Sequence, residues 1–229
     1  MKLEIEKTFK FSNREKNKLL NVLKLSEGNF DGVILKKKKI SYALHLIVAD
    51  KNLNLKKRIK IVFINAKKRK LQILYAPKMR ISDIQNNIQM YLEEHMIVDE
   101  GAAFFPLKIN IGAMYLKKRT KFIYKLKERK WVVGVDEIWV INPWKKKQSN
   151  KAYCYMEIEG GSEEEIDYLL NLLLSNFKDN LQLLDSDESK IKIVSEYEIR
   201  GKHLQFQELS SLEAFSWKIY DKWIKEFGN

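Results

Sequence analysis

Hydrophobic and polar positions along this chain repeat with two periods. In the stretch from about Val33 to Val48, the residues Ile40, Tyr42, Leu44, Leu46 and Val48 alternate with their neighbours, which predicts a strand. The same period predicts strands over Leu3 to Phe11 and near 55–64, 69–75, 114–125, 131–141, 152–160 and 190–200, with a short one near 203–207. A period near 3.6 marks the helices. Ser12 and Glu15 form a capping box ahead of Leu19, Leu20 and Leu23. Ser162 and Glu165 form another ahead of Ile166, Leu169, Leu170 and Leu173. Ser82 is expected to cap a helix carrying Ile84, Ile88, Tyr91 and Leu92. Ser210 and Glu213 are expected to cap a last helix with Leu212, Ile219, Trp223 and Phe227. No solenoid repeat and no linker interrupts the pattern. The expected object is one α+β domain over residues 1–229, rich in antiparallel strands with helices packed outside. Residues from about 180 to 229 form a less assignable extension.

The strands carry an unusual second pattern. Side chains alternate between the two faces of a strand. Glu4 and Glu6 therefore share a face. So do Lys56, Arg58 and Lys60, with Ile59, Ile61 and Phe63 opposite. Lys117, Arg119 and Lys121 share a face, as do Glu157 and Glu159, which oppose Cys154, Met156 and Ile158. Asp136 interrupts the apolar run Val132–Ile141. One charged strand face is ordinarily a solvated surface. A set of acidic pairs and basic triplets suits a sheet closed into a barrel, polar inside and apolar against outer helices. Interior carboxylates would gather a hard divalent cation, Mg²⁺ or Mn²⁺, and interior Lys and Arg would gather phosphate oxygens.

Composition narrows the classes. The 229 residues are 45% hydrophobic, enough for a core and against disorder. A single cysteine excludes an internal disulfide framework, and with His45, His95 and His203 it makes a zinc or copper site improbable. The three histidines are expected in core or surface roles. The charged start and the lack of a long apolar run point away from export and membranes, toward a cytoplasmic or nuclear protein. The net charge of +13 is uneven: residues 1–150 carry 34 Lys+Arg against 14 Asp+Glu, and residues 151–229 carry 9 against 16. The basic excess attracts polyanions, and runs such as Lys36–Lys39 and Lys145–Lys147 would offer RNA an outer track.

Four segments resemble one family. Glu4-Ile5-Glu6-Lys7-Thr8-Phe9-Lys10 is similar to the amino-terminal E-x-E signature of the triphosphate tunnel metalloenzymes, the CYTH superfamily. Lys117–Tyr124 resembles their later basic strand, and Trp131–Asp136 the strand after it. Tyr155-Met156-Glu157-Ile158-Glu159-Gly160, followed by Ser162–Glu165, resembles the closing E-x-E strand and its helix. Order and separation fit over most of residues 1–175. The family usually carries a lysine two places after the second glutamate; here that place is Thr8, and Lys7 should point away from the tunnel.

The resemblance implies a closed eight-stranded antiparallel tunnel. It implies a metal-dependent phosphohydrolase acting on a triphosphate: RNA 5′-triphosphate, nucleoside triphosphate or inorganic tripolyphosphate. Glu4, Glu6 and Glu159 would be catalytic through a metal, with Asp136 and Glu157 as further ligands. Lys56, Arg58, Lys60, Lys70, Lys117, Arg119 and Lys121 would hold phosphate, of which Lys56, Arg58, Lys60 and Lys70 are placed by alternation and order. Two alternatives stay open: a non-catalytic RNA- or nucleotide-binding module of the same fold, and an adenylyl cyclase of the class IV type.

Overall fold

The computed structural model describes residues 2–25, 32–48, 55–84, 88–98, 106–142, 144, 147–148, 152–174, 182–183 and 202–228. Among them are fourteen strands and three helices. The chain opens with β1 (Lys2–Phe11) and α1 (Lys16–Leu25), then β2 (Ile34–Val48), β3 (Leu55–Lys56), β4 (Arg58–Asn65) and β5 (Lys70–Tyr75). Next come β6 (Lys78–Ile84), β7 (Ile88–Glu93), β8 (Met96–Ile97), β9 (Leu107–Leu126) and β10 (Arg129–Asn142). The remainder is β11 (Lys147–Gln148), β12 (Tyr153–Gly160), α2 (Glu163–Leu174), β13 (Gln182–Leu183), β14 (His203–Phe206) and α3 (Leu209–Phe227).

One antiparallel sheet holds every strand. Its main path runs β3-β6-β7-β1-β12-β10-β9-β2-β4-β5-β8, with β11 on β10, β13 on β1 and β14 on β9. The expected eight-stranded barrel is thus not closed by these ladders, which form an open path of more strands. Yet only Lys57 separates β3, at one end, from β4, the ninth member. The chain itself joins the two regions.

Two apolar cores cover the helix-bearing side. Phe122, Trp131, Val133, Met156 and Ile158 meet Leu19 and Leu23 of α1 and Ile166, Leu169 and Leu173 of α2. Leu44, Leu46, Ile61, Phe63 and Trp139 meet Leu212, Trp217, Tyr220 and Trp223 of α3. Alternation puts all of these sheet residues on the faces the sequence pattern assigns to the core. Phe122 and Tyr124 lie wholly in this packing, so they are unavailable for stacking on a base. The Tyr124 hydroxyl donates to the Leu23 carbonyl at 2.7 Å, tying β9 to α1.

Local signals explain the helix starts. Ser12 N and Oγ both donate to Glu15 Oε2, at 3.2 and 2.8 Å. Glu165 N donates to Ser162 Oγ at 3.3 Å, and Glu163, Glu164 and Glu165 place negative charge at the positive end of α2. Two expectations fail. The described residues of the expected helix are strand instead: 82–84 end β6, and Ile88–Glu93 pairs with β1 along Lys2↔Glu93 to Glu6↔Gln89, and with β6 on its other side. Ile88, Met90 and Leu92 also fit a period of two, and pairing with two strands decides between the readings. The α3 cap is Glu208, not Ser210; Ser210 lies in the first turn and its Oγ donates to Glu208 Oε1 at 2.6 Å. The strand expected near 190–200 lies outside the described residues. Among those described, no helix is long and apolar enough to cross a membrane.

Candidate functional site on the inner face of the sheet

The face turned away from the helices collects the charges. Register fixes which side chains are neighbours, because residues directly paired across strands share a face. Glu6 of β1 pairs with Glu159 of β12, and Thr8 pairs with Glu157. Asp136 of β10 pairs with Arg119 of β9, and Gly134 with Lys121. His45 of β2 pairs with Lys60 of β4 and with Tyr115 of β9. The sheet curls about this face: Arg58 of β4 forms an ion pair with Glu93 of β7, although the two strands lie far apart on the path.

Arg119 is the hub. Its Nε is 2.6 Å and its Nη2 2.8 Å from the two Asp136 oxygens. It also pairs with Glu157, and its Nη1 lies 3.5 Å from Glu159 Oε1. Gly134 makes room for it, since a Cβ there would stand 3.0 Å from Arg119 Nε. Lys117 Nζ donates to Asp136 Oδ2 at 3.2 Å. Burial alone would raise the Asp136 carboxyl, but Arg119 and Lys117 override it and hold the group at about 2. Burial would likewise lower the Arg119 guanidinium, and Asp136 reverses that and raises it.

The first-strand glutamates have a different partner. Lys78 Nζ lies 2.9 Å from Glu6 Oε2 and 3.5 Å from Glu4 Oε2. Burial opposes ionisation of Glu6, and Lys78 overcomes it, so its carboxyl sits below the ordinary value. Farther round the face the balance turns positive. Burial, then repulsion by Lys117 and Arg58, pushes the Lys60 ammonium down to about 7. Burial and Arg119 push Lys117 down to about 8 despite Asp136.

The sequence-derived residues therefore divide. Glu4, Glu6, Arg58, Lys60, Lys117, Arg119, Asp136, Glu157 and Glu159 converge on the inner face. Lys121 is half-buried and belongs to the same face by pairing with Gly134. Lys56 is placed by its backbone, opposite Lys78. Lys70 is exposed at the start of β5, beside the turn from β4, away from the charged cluster. Lys7 points the other way, as its position predicts, and donates to Asp167 of α2 at 2.8 Å. Sequence reasoning missed Lys78, Glu93 and His45. Lys78 and Glu93 lie on strands obscured by the expected helix. His45 stands in phase with Ser41 and opposite in phase to Leu44 and Leu46, a polar-face signal that its residue type concealed.

The donor types suit a hard divalent cation, with four glutamate carboxylates on one face of two adjacent strands. Their present arrangement is one of ion pairs. Among the described residues no three His, Cys, Asp or Glu side chains form a group that could hold one ion.

Neither a protein-family profile nor a curated protein matches this chain. Solved structures do. A chain of the Schizosaccharomyces pombe Mediator head module aligns at a TM-score of 0.51 and 7% identity, covering 80% of this chain and 98% of that one. A candidate adenylate cyclase from Bacillus halodurans aligns at 0.50 and 14% identity, covering 84% and 98%. The RNA triphosphatase domain of the mimivirus mRNA capping enzyme aligns at 0.46 and 12% identity, covering 76% and 87%. These likenesses are of fold alone: the chain shares its strand-rich architecture with the Mediator head-module chain and the Bacillus halodurans protein.

Proposed function

We propose that the inner face is a triphosphate-binding tunnel and that the protein is a divalent-metal-dependent phosphohydrolase releasing a terminal phosphate. The observation that carries this reading is the cluster of half-buried cations, Arg58, Lys60, Lys117 and Arg119, beside carboxylates on one sheet face. Carboxylates offset part of the repulsion within such a cluster, and the lowered Lys60 and Lys117 ammonium groups, pushed down by burial and by neighbouring cations, are consistent with room for a further anion. Counting Leu55–Asn65 as one strand, that strand with β6, β7, β1, β12, β10, β9 and β2 makes eight, the strand number of the tunnel the resemblance implies, and this supports the tunnel reading.

The arginines would grip paired phosphate oxygens, and the lysines would act as compact charges on single oxygens. Their partial burial lowers the local dielectric and would strengthen each contact. Glu4, Glu6, Asp136, Glu157 and Glu159 would hold Mg²⁺ or Mn²⁺, which when bound supplies neutralising charge at the terminal phosphate and orients a water. The substrate class is a triphosphate: RNA 5′-triphosphate, nucleoside triphosphate or tripolyphosphate. RNA is favoured by the basic excess of residues 1–150.

A second reading, a non-catalytic binding module, is favoured by one observation: Lys78 and Arg119 already engage the carboxylates a metal would need. One assay separates the readings. Purified protein is incubated with Mg²⁺ or Mn²⁺ and tripolyphosphate, ATP or triphosphorylated RNA. Phosphate release is expected. Tight RNA binding without release would instead establish the module, and pyrophosphate with cyclic AMP would establish a cyclase.

A further inference from the structure

His45 is the inner-face residue that the cluster of ion pairs leaves unexplained. It is 1% exposed, and neither ring nitrogen has a hydrogen-bond partner among the described residues. Buried polar groups are almost always paired, so an orphaned imidazole needs a reason. It sits where a small apolar cluster of Ala113, Tyr115, Ile138 and Tyr155 meets the charged part of the face, in the row Lys60, His45 and Tyr115 across the sheet. The ring is held rigidly, stacked on Tyr115 with centroids 4.6 Å apart and planes 13° from parallel. The stack fixes the plane in which the two nitrogens lie. Lys60, its direct cross-strand neighbour, makes no ion pair among the described residues either. Arg58 and Lys117 add positive potential to the same spot, opposed by Asp136.

We infer that His45 binds a phosphate oxygen through a ring N–H, and that with Lys60 it forms the inner subsite of the tunnel. This rests on the triphosphate-binding reading and adds to it a residue that reads one phosphate group by a directional bond. Two adjacent donors without acceptors, set among further cations, call for an acceptor that carries negative charge. A phosphoryl oxygen supplies several acceptor sites at once and satisfies both groups. The surrounding cations also keep the imidazole neutral, burial being the larger cause, so one nitrogen carries a proton and the other remains free to accept from an ammonium. A water could satisfy the ring but would leave the positive excess uncompensated.

The test uses tripolyphosphate without divalent metal, so that turnover does not consume it. Binding to the full chain is measured by calorimetry, and the imidazole nitrogens of His45, His95 and His203 are followed by NMR after ¹⁵N-histidine labelling. His45→Phe keeps an aromatic ring to stack on Tyr115 and removes the N–H; its spectrum also assigns the His45 signal. The expected result is a shift of the His45 signal on binding and a roughly tenfold or greater loss of affinity in His45→Phe, for a hydrogen bond to a charged group. His45→Gln, which restores an amide donor, should recover part of that loss. If wild type binds with its His45 signal unmoved and His45→Phe binds equally well, the subsite is overturned and the tunnel reading stands. If wild type binds no tripolyphosphate, the tunnel reading falls, and this inference falls with it.

Discussion

Glu6 and Glu159 stand directly opposite each other on paired strands, two carboxylates sharing one side of the sheet. Like charges so placed repel. The protein compensates from both sides, with Lys78 at Glu6 and Arg119 at Glu159. Removing Lys78 should expose the conflict. Lys78→Met is expected to lower stability at pH 7 by about 2–3 kcal/mol, measured by urea denaturation, because a buried pair loses one partner. The Glu6 carboxyl is held below its ordinary value, so its contribution is present above that value and lost as pH falls through the lowered one. The difference between variant and wild type should therefore shrink in acid. An equal difference at pH 7 and pH 3 would detach Lys78 from Glu6.

The same carboxylates bear on catalysis. Glu159→Ala and Glu4→Ala are each expected to reduce divalent-dependent phosphate release by about a hundredfold or more, the scale for losing a principal electrostatic contact. Glu137→Gln, on the opposite face and paired with Lys16 and Lys118, should leave the rate within about threefold if the role of Glu159 is specific to the inner face. Wild-type turnover in Glu159→Ala would remove that residue from the chemistry.

Lys60 should make the free protein sensitive to pH. Its ammonium is depressed to about 7, from an ordinary value of 10.5. Between those values the unfolded chain binds more protons than the folded one, so stability rises with pH across that window. The urea midpoint of wild type should climb from pH 6.5 to pH 9 relative to Lys60→Met. A bound polyanion restores the proton, so triphosphate affinity should fall over the same range. A pH-independent gap between the two proteins would place Lys60 outside the cluster.

Gly134→Ala tests how tightly Arg119 is held. The added methyl would stand 3.0 Å from Nε and 3.1 Å from Cζ of a guanidinium fixed by three carboxylates. A small displacement should cost roughly tenfold in triphosphate turnover while global stability changes by about 1 kcal/mol or less. Kinetics alongside denaturation would show the split. A loss confined to stability would mean that the guanidinium does not act on substrate.

Much of this arrangement is written in alternation. Glu4 and Glu6, Lys117 and Arg119, and Glu157 and Glu159 each announce a shared face within one strand, and Phe122, Met156 and Ile158 announce the opposite one. The curl of the face is not local. Arg58 meets Glu93 only because distant strands curl together, and no spacing within either strand records it. Residues 82–92 mislead for a related reason: Ile84, Ile88, Tyr91 and Leu92 satisfy a helical period, and only β1 and β6 on either side select the strand. Ion pairing is equally hidden: Lys78 and Arg80 alternate along β6 as Lys117 and Arg119 do along β9, yet that spacing does not name Glu6 as the partner of Lys78.

The short break at Lys57 gives the architecture an asymmetry of strength. Every other neighbouring relation along the main path rests on a ladder that must be melted, whereas β3 and β4 are held in common by a single stretch of covalent chain. β3 contributes just two paired positions to β6, Leu55↔Met79 and Lys56↔Lys78. A nick beside Lys57 would cut that one covalent link between β3 and β4 while the long ladders of β1, β9, β10 and β12 stayed intact, leaving side-chain pairs such as Arg58 with Glu93 to hold the curl of the sheet.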